Sequence, residues 1–269
     1  MKKPSEYLDL GRFMISPGRK IHGCSFELTE GKAETIEKLG KILSDLGLKC
    51  SLLFFETVEK PRGIIFIDFS DSPIEPHEAI KRAIEELPEV TNYHCIEPQA
   101  TGLLIDTASF PITVAGERII LLRSSGLKTL INGLKRQIGA AAAEALLYNI
   151  GLEIGRGLGE AHKRLAAKLG IADPVQIFRK ISIPLFTALG YGVIHIKDLQ
   201  LKTRPRIILH IYNCIECEVA EASSQPACHL VRGMVEGGAV VILGLELTSK
   251  ENKCIALGDP YCELELISK

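Results

Sequence analysis

Three cysteines and a carboxylate in the last fifth of the chain, Cys228, Glu251, Cys254 and Cys262, point most directly to chemistry. Thiolates are soft donors that suit zinc, and a carboxylate can complete a four-coordinate shell. Cys254 and Cys262 flank Gly258, Asp259 and Pro260, residues that favour a tight reversal and would bring the two sulfurs together at the mouth of a hairpin. Glu251 precedes Cys254 by three residues, within reach of the same ion from a turn. Cys228 has to arrive from a separate element, so an ion here would staple a helix to the terminal hairpin. Spacing alone leaves a second reading open, three buried free thiols beside a surface glutamate, because free cysteine is often a small core residue. His229 is the rival to Glu251 for the fourth position.

Other constellations carry less. Cys214 and Cys217 form C-x-x-C at the expected end of a strand, where a three-residue step points side chains to opposite faces. Buried thiols are the expectation there, with a zinc site of Cys214, Cys217, Cys254 and Cys262 as the alternative. Gly151, Gly155, Gly157 and Gly159 do not make G-x-G-x-x-G, since Glu160 takes the third glycine's place, and they lie in a helix rather than after a strand. Gly139, Ala143, Gly151, Gly155 and Gly159 recur at multiples of four, a stripe that lets another helix or an apolar chain approach closely. His195 and His210 alternate with apolar neighbours on two expected strands, facing solvent or a ligand cavity. No Ser-His-Asp triad or paired carboxylates stand out, so the expectation leans away from an enzyme.

The elements that must position these residues follow from periodicity. Lys20–Leu28 alternates like a strand, and Gly31–Gly47 places Ile36, Leu39, Ile42, Leu43 and Leu46 on one helical face. Strands are expected at Cys50–Val58 and Gly63–Phe69, a helix at Ile74–Leu87, and a strand at Val90–Glu97. That order, β-α-β-β-α-β, is the ferredoxin-like split unit. Thr29–Gly31, at the first helix start, is where a carboxylate would meet free amide donors, although T-E-G is also an ordinary helix start. Pro98–Gly102 reads as a boundary, followed by a hairpin of Phe110–Val114 and Arg118–Leu122. A long helical region starts near Leu127, and Asp173–Leu189 is helical with a break or kink at Pro184. Strands follow at Tyr191–Leu199 and Pro205–Asn213, then a helix at Ser224–Gly237 carrying Cys228, with Val240–Leu247 and Cys254–Ile267 as closing strands.

Composition bounds the function. The chain of 269 residues suits two domains, and its formal net charge of -1 gives no global attraction to nucleic acid. There is no Trp and only 6% aromatic residues, so bases would find few stacking platforms. The start, M-K-K-P-S-E-Y-L, lacks the apolar stretch of a signal peptide, and runs such as Gly237–Gly244 are too short to span a bilayer. Eight cysteines without an export signal point to reduced thiols and a cytoplasmic protein.

From about Thr101 onward the chain resembles the 4-vinyl reductase domain family. The resemblance is carried in order by N-I-G-L-E-I-G-R-G-L-G, G-Y-G-V, N-C-I-E-C-E-V-A, P-A-C-H-L-V-R-G-M-V-E-G-G, a Glu-x-x-Cys and a G-D-x-x-C ending. It implies a domain that senses small hydrophobic molecules, with a structural zinc held by three cysteines and a glutamate that map onto Cys228, Glu251, Cys254 and Cys262. Relatives that recognise phenols grip the ring with a histidine and a tryptophan, and the lack of Trp here points away from such an effector. The N-terminal unit is similar to ACT-type sensing domains in element order. The expected architecture is therefore α/β (α+β): a leader at 1–19, an ACT-like ferredoxin-like domain at 20–99, and a 4-vinyl-reductase-type domain with zinc at 100–269. The expected function is ligand-sensing regulation by a cytoplasmic homodimer that acts through a separate output protein, without direct nucleic-acid or membrane binding. A reductase or accessory factor for a vinyl-bearing tetrapyrrole, and a scaffold or tethering subunit, are the alternatives.

Overall fold

The computed structural model describes residues 10–57, 60–220 and 225–269. Contacts divide the chain into two units, Lys2–Ile119 and Ile120–Lys269. Both mix helices and antiparallel sheet, giving the α/β class expected. No helix among the described residues is long and apolar enough to cross a membrane.

In the first unit, β1 (Phe13–Ile15) and β2 (Ile21–Leu28) are followed by α1 (Ala33–Asp45), β3 (Lys49–Glu56), β4 (Arg62–Asp68), α2 (Pro76–Glu85) and β5 (Val90–Ile96). From β2 to β5 this is the β-α-β-β-α-β order, and the sheet runs β3-β4-β2-β5. Alternation puts Cys24, Phe26 and Leu28 of β2 on the face covered by Leu39, Ile42 and Leu43 of α1 and by Ala79, Ile80 and Ala83 of α2. Ile36, expected on that helix face, is exposed instead, because the buried stripe runs through Thr35, Leu39, Ile42 and Leu43, and Thr35 takes the inward position in the first turn. The strand expected to reach Val58 ends at Glu56, and Val58 lies outside the described residues, as do positions 1–9 of the expected leader. Within the first unit, β6 (Leu103–Ile105) pairs with β1, so Phe13–Ile15 of the leader is a strand and Pro98–Gly102 leads into its partner. The expected hairpin is shorter than its alternation suggested: β7 (Thr113–Val114) and β8 (Glu117–Arg118) close around Ala115 and Gly116, both at positive φ.

The second unit starts with α3 (Ser124–Ile138) and α4 (Ala140–Lys168), separated by Gly139 at φ 81°. Next come α5 (Pro174–Ile177), a π-helical turn at Phe178–Ser182 and α6 (Ile183–Ala188). Asp173 caps α5 by accepting from the Val175 N–H. The widened turn lies directly before Pro184, which cannot donate to the helical ladder, so the expected break takes the form of a π turn. After β9 (Val193–Gln200), β10 (Arg206–Tyr212) and α7 (Ile215–Val219), α8 (His229–Leu243) leads to β11 (Leu247–Lys253) and β12 (Cys262–Ser268). The sheet order is β11-β12-β10-β9, all antiparallel. Ile207, Leu209 and Ile211 of β10 and Leu264 and Leu266 of β12 face Val231, Val235, Ala239 and Ile242 of α8.

Two boundaries correct the sequence reading. Val240–Leu243 belongs to α8 and not to a strand, because an apolar run of that length suits a buried helix equally well. Gly244, left-handed at φ 65°, ends the helix, and the strand begins at Leu247. The helix expected from Ser224 begins at His229, with Cys228 at its cap, and Ser224 lies outside the described residues. The glycine stripe does pack a helix: a Cβ on Gly151 would lie 2.1 Å from the Leu230 carbonyl oxygen, and one on Gly237 would lie 2.1 Å from that of Leu152. Thus α4 and α8 cross with their backbones in contact. Gly139 takes no part in this contact and breaks the helix.

Candidate metal centre

Five cysteines and Glu251 converge in the second unit. Asn213, left-handed at φ 51°, turns the chain out of β10 so that Cys214 caps α7 and Cys217 lies one helical turn along. Residues three apart on a helix share a face, so both sulfurs enter the cluster. The expectation that they diverge is corrected, because this stretch is helix and not strand. Cys228 enters from the start of α8, Glu251 from β11, and Cys262 from the first position of β12. Cys254 follows β11 and opens the reversal expected at Gly258–Pro260: Gly258 is left-handed at φ 93°, and Asp259 accepts from the Cys254 N–H at 2.9 Å.

The sulfurs are in mutual contact. Cys214 and Cys228 Sγ are 3.6 Å apart, Cys217 and Cys254 are 3.8 Å apart, and Cys217 and Cys262 are 3.4 Å apart, all as free thiols. All five cysteines are buried. Two groups of four have every donor atom within 4.8 Å of the others: Cys214, Cys217, Cys228 and Cys262, and Cys217, Glu251, Cys254 and Cys262. Of the residues singled out by sequence, Glu251, Cys254 and Cys262 therefore meet in one group, with Cys217 as fourth member. Cys228 meets Cys262 in the other. His229 belongs to neither; its Nε2 is 3.9 Å from Glu144 Oε1.

The surroundings suit a bound cation. The Ala227 N–H donates to Cys254 Sγ and the Ile255 N–H to Cys262 Sγ, both at 3.4 Å, the type of contact that orients and stabilises thiolate ligands. Glu251 Oε2 accepts from the Cys228 N–H at 3.2 Å, whereas Oε1 is buried with no hydrogen-bond partner among the described residues. Burial, then contact with the Cys254 thiol, pushes the Glu251 carboxyl up to about 9. A carboxylate in that position needs a positive charge to be ionised at neutral pH. The thiols divide their protons through contact: Cys214 is pulled below its ordinary range by hydrogen bonding with Cys217, which is pushed up in turn. This cluster of cysteines can hold a metal ion. Beside it, Glu216 of α7 is buried and accepts from the Leu230 and Val231 N–H groups at 2.9 Å each, tying α7 to the first turn of α8.

A second feature lies further along α8. A partly open cavity of about 50 Å³ is lined by α4, the π turn, α6, β9 and α8, with Leu158, Phe178, Phe186, Tyr191, Met234 and Ile242 in its wall. Its polar handle is His162, whose Nδ1 is 3.0 Å from Ser182 Oγ. Sequence reasoning missed this pair. The signal was available in the α4 stripe, where Gly155, Leu158 and His162 follow one another at helical spacing. His195 is exposed on β9 and lies outside the cavity, and His210 stacks on Tyr261 and contacts Glu263 Oε2 at 3.1 Å.

Residues 207–267 match the model of the 4-vinyl reductase domain family, so the chain carries a domain of this kind, and the matched stretch holds every cysteine of the cluster. An uncharacterized protein of Methanocaldococcus jannaschii is 27% identical over 189 residues, covering 70% of this chain and 87% of that protein. Among solved structures, the phenol-responsive sensory domain of the transcription activator PoxR with phenol aligns at a TM-score of 0.52 and 18% identity, over 58% of this chain and 79% of that one. A vinyl-4-reductase family protein from Methanocaldococcus jannaschii aligns at a TM-score of 0.38 and 18% identity, over 57% of this chain and 85% of that one.

Proposed function

We propose that this chain is a ligand-sensing regulatory protein. Its second unit takes a small, largely apolar molecule into the cavity between α4, α6 and α8, and zinc fixes the wall of that cavity. The observation that carries this reading is the apolar cavity with one His162–Ser182 handle, set on the helix whose first residues enter the cysteine cluster. Ligand sites combine an apolar lining with a few polar groups that fix orientation. At about 50 Å³ the cavity is smaller than the ~300–1,000 Å³ of typical ligand pockets, so a ligand enters only as the wall moves. That differential is what a sensor requires, because occupancy must favour one arrangement over another. The PoxR domain, which shares the fold, is phenol-responsive by name, which supports the sensing reading.

The zinc would draw its donors from Glu251, Cys254 and Cys262, with Cys217 in the fourth position that the sequence assigned to Cys228, which meets only Cys262 of that set. The orphaned Glu251 Oε1 and the N–H groups aimed at sulfur favour this reading over buried free thiols. With all donors from the protein the ion is structural; it would join α7, β11 and β12 and leave no position for substrate. The remaining parts of the reading are an ACT-like first unit, a homodimer, a cytoplasmic location and an output carried by another protein.

The absence of Trp supplies the test. Phe186→Trp places one fluorophore in the cavity wall, and titration with a panel of small apolar and aromatic molecules should change its emission saturably. Native mass spectrometry should show a retained small molecule. Emission that no panel member changes, together with an empty chain, refutes the sensor. Separately, Cys262→Ser or chelation should lower the melting temperature of the second unit and spare the first, and unchanged zinc content and melting would show the metal site to be misread.

A further inference from the structure

Among the described residues the cluster has six donors, two more than one tetrahedral ion uses, and they divide in a particular way. The two groups of four share Cys217 and Cys262 and differ in the rest, with Cys214 and Cys228 on one side and Glu251 and Cys254 on the other. We propose that this is a thiolate-bridged pair of sites for two divalent ions of the zinc class, with Cys217 and Cys262 as bridges. Cys214 and Cys228 complete one site, and Glu251 and Cys254 the other. The inference rests on the reading of the cluster as a metal centre.

Geometry supports the division. A Zn–S bond of about 2.3 Å makes the edge of a tetrahedral sulfur shell about 3.8 Å. The Cys214–Cys228 pair at 3.6 Å and the Cys217–Cys254 pair at 3.8 Å are such edges, one in each group. The common pair, Cys217 and Cys262, is closer at 3.4 Å, as expected for the shared edge of two tetrahedra. Every donor is then used once, or twice if it bridges.

A single ion accounts for less. Placed in the all-sulfur group, it leaves Glu251 Oε1 buried with no partner among the described residues, which is costly for a carboxylate. Placed in the other group, it leaves Cys214 and Cys228 in sulfur–sulfur contact as thiols with no assigned work. Charge argues the same way. Fully deprotonated, the six donors carry six negative charges; two divalent ions cancel four of them and one ion only two. The N–H groups of Ala227, Cys228 and Ile255 reduce the remainder by donating to Cys254, Glu251 and Cys262. The consequence for the fold is a wider staple: one ion gathers α8, the other gathers the β11 end, and α7 and β12 are common to both through Cys217 and Cys262.

Native mass spectrometry of the full chain, stripped and reloaded with zinc alone, tests the stoichiometry, and the same loading with cobalt(II) tests the bridge. We expect two zinc ions per chain at saturation. The cobalt EPR intensity per ion should fall as the second ion enters, because spins joined through shared sulfur couple. Cys214→Ser and Cys254→Ser should each reduce the count to one. One ion in the unaltered chain at saturation overturns the pair and leaves the single-zinc reading standing, whereas no ion overturns both. Two ions with undiminished EPR intensity would place the second elsewhere and also overturn the bridge. The unaltered chain decides the matter, so a variant that misfolds does not blunt the test.

Discussion

Replacing Gly155 by alanine puts a methyl carbon 2.1 Å from the Met234 carbonyl oxygen, in the backbone of a neighbouring helix. Ordinary C···O contacts begin near ~3.3 Å, so α4 and α8 must part locally by about 1.2 Å. No rotamer relieves this clash, because the obstacle is main chain. Overpacking of a tight core costs about 1–3 kcal/mol, and a rigid obstacle places Gly155→Ala at the upper end. Alanine returns about 1 kcal/mol through helix propensity, so the net loss is about 2 kcal/mol. For a unit of this size that corresponds to about 4–8 °C in melting temperature. Gly157 provides the control: it lies on the same helix, and a Cβ there meets nothing within 4 Å. Gly157→Ala should therefore stabilise by up to about 1 kcal/mol. Thermal unfolding of the full chain measures both effects, and hydrogen exchange should show protection lost in α4 and α8 for Gly155→Ala alone. If Gly155→Ala melts at or above the unaltered chain, the backbone-contact crossing is wrong.

Other substitutions test the remaining parts of the structure. Glu236, buried on α8, accepts from Tyr148 Oη at 2.7 Å, Ser249 N at 2.8 Å and Ser249 Oγ at 2.6 Å. Glu236→Ala should cost about 3 kcal/mol by stranding these donors, and Tyr148→Phe about 1 kcal/mol, both read by urea unfolding. In the first unit, Asp106 is fully buried against Arg12 at 2.8 Å and accepts from the Ala108 and Ser109 N–H groups at 3.0 Å. Asp106→Ala should cost about 3–5 kcal/mol, with loss of hydrogen-exchange protection confined to that unit. Burial lowers the His22 imidazole below its ordinary value, against the pull of Glu97. Its contribution is thus present above the unfolded value of 6.5 and is lost as pH falls below it. The first unit should melt lower at about pH 5 than at about pH 7, and a slope unchanged in His22→Gln would refute the assignment.

Much of the fold was legible because its elements alternate cleanly or repeat at helical spacing. The β-α-β-β-α-β order came from strands with a period of two, such as Cys24, Phe26 and Leu28, separated by helices with one apolar stripe. It was not legible where burial removes the pattern. Ala239–Leu243 is an unbroken apolar run, so periodicity could not separate helix from strand, and only Gly244 marks the true end. Pairings between distant segments leave no local trace either, which is why Phe13–Ile15 was placed in a leader and not opposite Leu103–Ile105.

The cysteine cluster shows the same limit at finer scale. The Cys254 to Cys262 reversal was readable from Gly258 and Asp259, because those residues impose a turn by themselves. The role of C-x-x-C depended on one conformational switch at Asn213. If β10 continued through Cys217, the two sulfurs would diverge across the sheet; with Asn213 left-handed and a helix behind it, they converge. Asparagine tolerates that conformation better than most residues; the following I-E-C-E-V alternates apolar and polar like a strand, so the only signal for the helix lay in the residue before the motif. The same switch sets the number of donors. With strand geometry at Cys214 and Cys217, the centre would comprise only the residues spaced along the terminal segment. With helical geometry, two more sulfurs enter, one of them midway between the two groups. The conformation of Asn213 thus decides whether β12 is clamped from one side or two. Asn213→Val, which disfavours a left-handed backbone, should reduce the metal content of the whole centre although it touches no donor. Unaltered metal content in that variant would mean that the convergence of Cys214 and Cys217 does not depend on the turn.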